Sequence, residues 1–214
     1  MPRIRTAACA LLVLAAPAAF AGEVYGAIGL PGAIGGYAQP LGDSFSVRAD
    51  FATLGNRSRT SNEEGIDYNL KLKANRFAVF GDWYPFSGSF RLTGGVTANN
   101  YKLTLAATGA GGSLTIGDNT YTTTAADRLD GTVKFPSSTP YLGFGWGHQS
   151  GSGLRFSADI GAMFGKAKLT YTVSGPLAAQ VTQADLDKET QELRDGVAKV
   201  RWIPQLSFGI GYSF

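Results

Sequence analysis

The chain closes on a run in which large apolar and small polar residues alternate without a break. Leu206, Phe208, Ile210, Tyr212 and Phe214 fall on one face, with Gln205, Ser207, Gly209, Gly211 and Ser213 on the other. A period of two marks a strand whose faces meet different surroundings. Here one face is bulky and apolar, and the other is small and polar. A soluble strand would also bury its bulk, so alternation alone fits two environments. The opposite end of the chain separates them.

Residues 1–21 have the composition of an export signal. Arg3 and Arg5 supply a positive start, 7–16 form a short apolar run, and Ala19-Phe20-Ala21 is a small-x-small cleavage site. The run is shorter than the ~20 residues a spanning helix needs. The mature chain is therefore expected to begin at Gly22. It would lack Cys9, the single cysteine of the 214 residues, which excludes disulfide and thiol chemistry. Cys9 lies at the front of the apolar run, away from the cleavage position, and is not read as a lipid-attachment site. Arg3 and Arg5 account for part of a formal charge of only +3, which gives nucleic acid no basic surface to bind. No later stretch approaches 18 consecutive apolar residues, so no helix is expected to span a membrane. Alternating strands can span one without such a stretch.

The same alternation recurs along the chain. Phe45, Val47, Ala49 and Phe51 oppose Ser46, Arg48 and Asp50, while Ile66, Tyr68, Leu70 and Leu72 oppose Asp67, Asn69, Lys71 and Lys73. Phe90, Leu92 and Val96 oppose Arg91, Thr93 and Thr97. Leu142, Phe144 and Trp146 oppose Tyr141 and glycines, and Leu154, Phe156 and Ile160 oppose Arg155, Ser157 and Asp159. Val200 and Trp202 extend the last apolar face, and Lys199 and Arg201 its polar one. A Lys or Arg facing lipid at mid-depth costs ~2–4 kcal/mol, so the charged faces are assigned to an interior. The expected interior network is Arg48, Asp50, Lys71, Asp82, Arg91, Lys134, Arg155, Asp159, Lys199 and Arg201.

Short turn signals at 39–43, 85–88 and 149–153 alternate with longer polar stretches near 55–65, 107–130 and 174–196. A transmembrane barrel has short periplasmic turns and longer outer loops. Both termini then lie on the periplasmic side, which requires an even strand number. Parity is met if 22–39 holds two strands around Pro31-Gly32, a pair favoured at the centre of a type II turn. The expectation is an all-β chain: an eight-stranded antiparallel transmembrane barrel over 22–214. Sixteen strands would leave too few residues for each. Phase slips near Asn99-Asn100 and Gly165-Lys166 are read as bulges. One short helix is expected at 182–195 in the last outer loop, with Thr182 and Asp185 as a capping box and Gly196 as its stop.

An eight-stranded interior is only wide enough for side chains to fill it, and buried charges need partners. A closed structural network is therefore expected, with a narrow ion path as the alternative. Arg155 and Asp159 share a face but lie ~14 Å apart along the strand. Each needs a partner on another strand, Asp50 and Arg201 among them.

Few motifs suggest other chemistry. The run 26–36 is glycine-rich but lacks the Gly-Lys-Ser/Thr ending of a phosphate loop. The acidic residues of 182–195 lack calcium-loop spacing, and no metal or cofactor site is expected. Asn56-Arg57-Ser58 is read as a chance glycosylation triplet. His148 and Ser150, two residues apart, resemble the histidine and serine of PagL-type lipid A deacylases. No acidic residue lies near His148 in sequence to orient its ring, and no catalytic residue is assigned.

In architecture, 22–214 resembles the small proteobacterial outer-membrane barrels typified by OmpA and OmpW. The resemblance rests on the signal, the alternating strands and the terminal phenylalanine. Asp82-Trp83-Tyr84-Pro85-Phe86 and Pro140-Tyr141-Leu142-Gly143-Phe144-Gly145-Trp146-Gly147 also resemble phrases of a group of small uncharacterised barrels. The resemblance implies outer-membrane location and lipid and lipopolysaccharide neighbours. It also implies that Leu206, Phe208, Ile210, Tyr212 and Phe214 are read by the barrel-assembly machinery. It implies a location rather than an activity. The expected protein is a monomeric, non-enzymatic barrel with a structural or surface-interaction role; an OmpW-like narrow channel or transporter for small solutes is the alternative, and a PagL-like lipid A deacylase a remote one.

Overall fold

A computed structural model describes residues 22–63, 66–109 and 111–214. The expected export signal lies outside the described residues. In chain order the strands are β1 (Glu23–Leu30), β2 (Gly32–Pro40), β3 (Phe45–Glu63), β4 (Ile66–Trp83), β5 (Phe90–Asn99) and β6 (Lys102–Gly109). They continue as β7 (Ser113–Ile116), β8 (Asn119–Thr122), β9 (Arg128–Lys134), β10 (Ser138–Trp146), β11 (Gly153–Phe164) and β12 (Lys168–Ser174). A short 3-10 turn (Pro176–Ala179) and α1 (Gln183–Ala198) precede β13 (Trp202–Ser213).

Eight of these strands close a ring, β1-β2-β3-β4-β5-β10-β11-β13 and back to β1, and every pairing is antiparallel. The segment 22–39 holds two strands joined at Pro31. Gly32 sits at φ 117°, where a Cβ would also lie 2.2 Å from the carbonyl oxygen of Thr53, so only glycine suits this tip. Glu23, Ser213 and the short turns 41–44, 84–89 and 147–152 gather at one end of the ring. Large apolar residues cover the outside: Phe51, Val79, Leu92, Val96, Leu142, Phe156, Ile160, Phe208 and Ile210 are all exposed. All three tryptophans face outward, at strand ends: Trp83, Trp146 and Trp202. Aromatic side chains at the rims of an apolar belt are the arrangement found where a barrel meets the two membrane interfaces.

Beyond this ring the sheet continues on the side away from the termini. There β1, β2 and β13 have stopped, and the upper part of β3 pairs with β4, then β6, β9 and β12, leaving a five-stranded open sheet. The long strands carry straight from the ring into this extension. Arg76 opposite Asn99 and Lys73 opposite Lys102 keep one register across the β5–β6 break. Thr97 opposite Thr139 and Lys102 opposite Lys134 do the same from β10 to β9.

Two expectations change here. The suspected slip at 99–100 is no bulge, since side-chain parity runs through it. Between β11 and β12 the pairing with the neighbouring stave shifts by two residues, which also keeps parity. What changes is the chemistry of each face. Even positions of β4 bury Arg76 and Asp82 inside the ring, whereas above it Tyr68 and Leu70 on that same face line an apolar chamber. The odd positions carry Phe77 and Val79 towards the outside of the ring, then Lys73, Lys71, Asn69 and Asp67. Among the described residues a bulge lies in β3, between Thr53 and Gly55, where the register with β4 shifts.

The extension has its own core of Ile66, Ala107, Ile116, Leu129, Leu177 and Val181, packed by Tyr68, Tyr171, Val173 and Leu186. The loops expected near 107–130 and 174–196 supply its cover, as the β7–β8 hairpin and α1. Thr182 caps α1, accepting from the Asp185 amide at 3.2 Å. The helix passes Gly196 and ends at Ala198, because its C-cap Lys199 stays right-handed and no left-handed residue is used.

Candidate functional site

The ring interior carries a polar network built by the inward positions of six strands. Asp82 on β4 is its hub. Arg48 on β3 donates to both Asp82 oxygens, at 2.6 and 3.3 Å, and also reaches Asp159 on β11 at 3.2 Å. Arg91 on β5 bonds Asp159 at 2.8 Å, Thr93 at 3.0 Å and the Gly147 carbonyl at 3.1 Å, and it lies 3.5 Å from Asp82. Thr93 and Ser46 donate to Asp82 as well, at 2.6 and 3.2 Å. One level up, Arg76 pairs with Asp50 and donates to Gln205 on β13, while Tyr25 on β1 donates to Asp50 at 3.3 Å. The guanidinium groups of Arg48 and Arg76 both lie over the Phe80 ring, at 5.0 and 5.4 Å from its centroid.

Three guanidinium groups thus meet three aspartates in a space from which solvent is excluded. Arg48, Arg76 and Arg91 are at most 2% exposed. Burial of this kind is tolerable only with near-complete pairing, and antiparallel neighbours deliver the partners at matching heights. Small residues on facing strands make the room: a Cβ on Gly36 would lie 2.5 Å from the Tyr25 ring, and one on Gly145 would lie 2.9 Å from Arg91. Between Arg48, Asp50, Arg76, Asp159 and Gln205 the space left for a water centre is about 10 Å³. That is at or below what one water needs, ~10–15 Å³. Above it Phe80, Phe135, Tyr141 and Met163 form an apolar layer.

At the end of the ring that carries the short turns His148 is buried, with Nδ1 2.8 Å from Glu23 and its ring 4.3 Å from that of Tyr25. The carboxylate missing from its sequence neighbourhood therefore arrives from β1. Ser150 is not joined to this pair; it donates instead to Asp43.

Of the ten interior residues expected from sequence, Arg48, Asp50, Asp82, Arg91 and Asp159 come together. The others do not. Lys71 and Lys134 stand on the outer face of the extension, because the faces exchange chemistry above the ring. Arg155 points to the mouth and donates to the Ser150 carbonyl at 3.2 Å, since it lies four residues below Asp159 on β11, two pleat repeats too low for the hub. Lys199 and Arg201 are exposed between α1 and β13. Asp159 finds Arg48 and Arg91, rather than Arg201. Arg76, Tyr25, Glu23 and Gln205 were missed. The alternation of Asp67, Asn69, Lys71 and Lys73 puts position 76 on the opposite face, so it does not point to Arg76 as an interior residue. The terminal apolar residues Leu206, Phe208, Ile210, Tyr212 and Phe214 all face outward from β13.

Two features of the extension complete the picture. Its inner face and α1 enclose an apolar chamber of about 340 Å³, lined by Leu70, Leu103, Leu129, Leu169, Leu193 and Val197 among others. The N-terminus of α1 is clasped to the β7–β8 turn through Asp185, which accepts from Tyr121 at 2.6 Å, from Thr182 at 2.7 Å and from Asn119 at 3.0 Å. Those hydrogen bonds, from Tyr121 first, hold the Asp185 carboxyl well below the usual carboxylate range.

No protein-family model and no curated protein matches this chain. Among solved structures it is similar to Acinetobacter baumannii CarO, at 16% identity, with 91% of this chain and 98% of that one covered and a TM-score of 0.57. It is likewise similar to CarO2 of the same organism, at 16% identity over 91% of this chain and 99% of that one, with a TM-score of 0.58. At that identity the likeness concerns the fold. CarO is an outer-membrane β-barrel protein, and this chain has a barrel fold of that kind.

Proposed function

We propose that this protein is an integral outer-membrane barrel, exported by a cleaved signal, whose lumen is closed by side chains and whose working surface is the folded outer extension. Its role on this reading is structural or surface-interactive, without an enzymatic step. The observation that carries it is the Asp82 hub with Arg48, Arg91 and Asp159, beside which about 10 Å³ remains. An inert membrane stave would not need a separately cored extension, which supports an outward-facing task. Ser150 bonded to Asp43 and His148 bonded to Glu23 give the deacylase reading no assembled pair.

Purified, refolded protein in a planar bilayer should give no discrete conductance steps. Reproducible steps from the pure protein would overturn the closed-lumen reading. A second reading, OmpW-type carriage of small solutes, is favoured by one observation: the apolar chamber in an extension whose sheet is not closed. Uptake of a small apolar probe by folded protein, lost on Leu105→Lys, would favour it.

A further inference from the structure

Four lysines on four neighbouring strands stand side by side. Lys73 on β4 is opposite Lys102 on β6, Lys102 is opposite Lys134 on β9, and Lys134 is opposite Lys168 on β12. Directly opposed residues share a face, so the row lies on the outer face of the extension, with Lys73, Lys134 and Lys168 exposed. At about 4.8 Å between strands, it spans about 14 Å. The next level up is Ser58, Lys71, Thr104, Thr132 and Thr170, again opposed strand by strand. A depression of about 380 Å³ lies here, lined by Asn56, Ser58, Lys71, Lys73, Lys102 and Thr104 among others.

Like charges set directly opposite one another destabilise a sheet. A solvated outer face would interleave them with acids. Here five of the chain's eight lysines, Lys71 included, collect on one face. Among the described residues none of the five makes an ion pair. Acids on that face stand farther out: Asp130 is four residues beyond Lys134, and Asp67 six beyond Lys73. The cations lie next to the apolar belt. On the outer face of β4, at its odd positions, Phe77 is the last exposed apolar residue, Asn75 follows, and Lys73 comes next. A lysine there can lay its stem along the belt and hold its ammonium at the level of lipid head groups.

We propose that this lysine row, with the hydroxyls above it, is a binding site for the phosphate groups of an anionic glycolipid in the outer leaflet. Compact ammonium groups suit phosphate as point charges, and a row of four engages phosphates on neighbouring sugars. Threonine and serine hydroxyls donate to the remaining phosphate or sugar oxygens. The proposal rests on the outer-membrane placement put forward above.

The test uses refolded full-length protein in non-ionic detergent with three probes: lipid A carrying both phosphates, fully dephosphorylated lipid A, and inorganic phosphate at equal concentration. Bound probe is read by native mass spectrometry. The wild-type protein should prefer phosphorylated lipid A by about tenfold or more, from the attraction of the lysine row for an anionic surface. A variant with Lys73→Gln, Lys102→Gln, Lys134→Gln and Lys168→Gln should lose that preference, while Lys188→Gln with Lys199→Gln should keep it. If the quadruple variant fails to fold, the pair Lys73→Gln and Lys134→Gln should cut the preference at least threefold. Equal binding of the two lipids, or a preference surviving in the folded variant, overturns the site. Inorganic phosphate binding as tightly as phosphorylated lipid A overturns the glycolipid as ligand. Cell fractionation is scored separately. Absence from the outer membrane overturns the placement, whereas presence there without phosphate discrimination overturns the lysine row alone.

Discussion

Asp82→Ala removes the hub of the interior network and distinguishes a plug from a path. Asp82 accepts five hydrogen bonds, two from Arg48 and one each from Arg91, Thr93 and Ser46. Bonds to a charged group are worth roughly 1.5–3 kcal/mol each when counted singly. Their sum would rival the whole stability of a domain, but they share donors and do not add. The relevant quantity is the penalty for stranding buried charge, about 3–5 kcal/mol. After the substitution Arg48 and Arg91 are both left on Asp159. With a urea slope near 2 kcal/mol/M, the unfolding midpoint of the refolded protein should fall by roughly 2 M. Bilayer recordings should stay silent, because both guanidiniums still fill the space. A paired variant, Asp82→Leu with Arg48→Met, should recover part of the loss, since no orphaned charge between these two positions remains. An unchanged midpoint with new ion-selective current would refute the closed network: water would then be solvating the charges.

Phe214→Ala should lower the amount of folded, heat-modifiable barrel in cells, and normal levels would count against a terminal assembly signal. Deleting 182–195 should leave the ring folded but expose Leu177 and Leu129, read as faster proteolysis confined to the extension; loss of the ring itself would contradict this. Asp185 has a folded pKa below its unfolded value of ~3.9. Its stabilisation is therefore complete above about pH 4 and disappears as pH falls through the folded value. Hydrogen exchange should show α1 losing protection in strong acid before the ring strands do. Asp185→Ala should loosen α1 at neutral pH, and equal protection of α1 in that variant would refute the clasp.

Much of the ring is readable from residues because each strand presents an apolar outer face and a buried polar inner one. The hairpin over 22–39 followed from strand parity, and Asp50, Arg48, Asp82, Arg91 and Asp159 from alternation alone. Their pairing was not readable. Which aspartate meets which arginine depends on register around the ring, and Asp159 reaches Arg48 across 111 residues of sequence. The partner of His148 was hidden for the same reason, since Glu23 lies 125 residues away.

The faces of the extension were misread although the signal for them stands in one strand. Taken alone, 66–73 puts its apolar residues on even positions, as a lipid-facing strand would. Phe77, Val79 and Trp83 put them on odd positions of the same strand, and β4 carries no bulge to reconcile the two. Length resolves the conflict. A spanning strand needs ~9–11 residues, whereas β4 has 18. On the outer-membrane placement proposed above, one half then leaves the bilayer, and once outside, its surroundings exchange. Water now bathes the outer face, and the inner face must bury its bulk against something. Unbroken parity with inverted chemistry is what that passage demands. The helix and the β7–β8 hairpin follow from it, because Ile66, Leu129 and Tyr171 need a cover that lipid no longer supplies. On that placement the lysines take the crossing point for the same reason: it is the first height on the outer face where a charge escapes the bilayer.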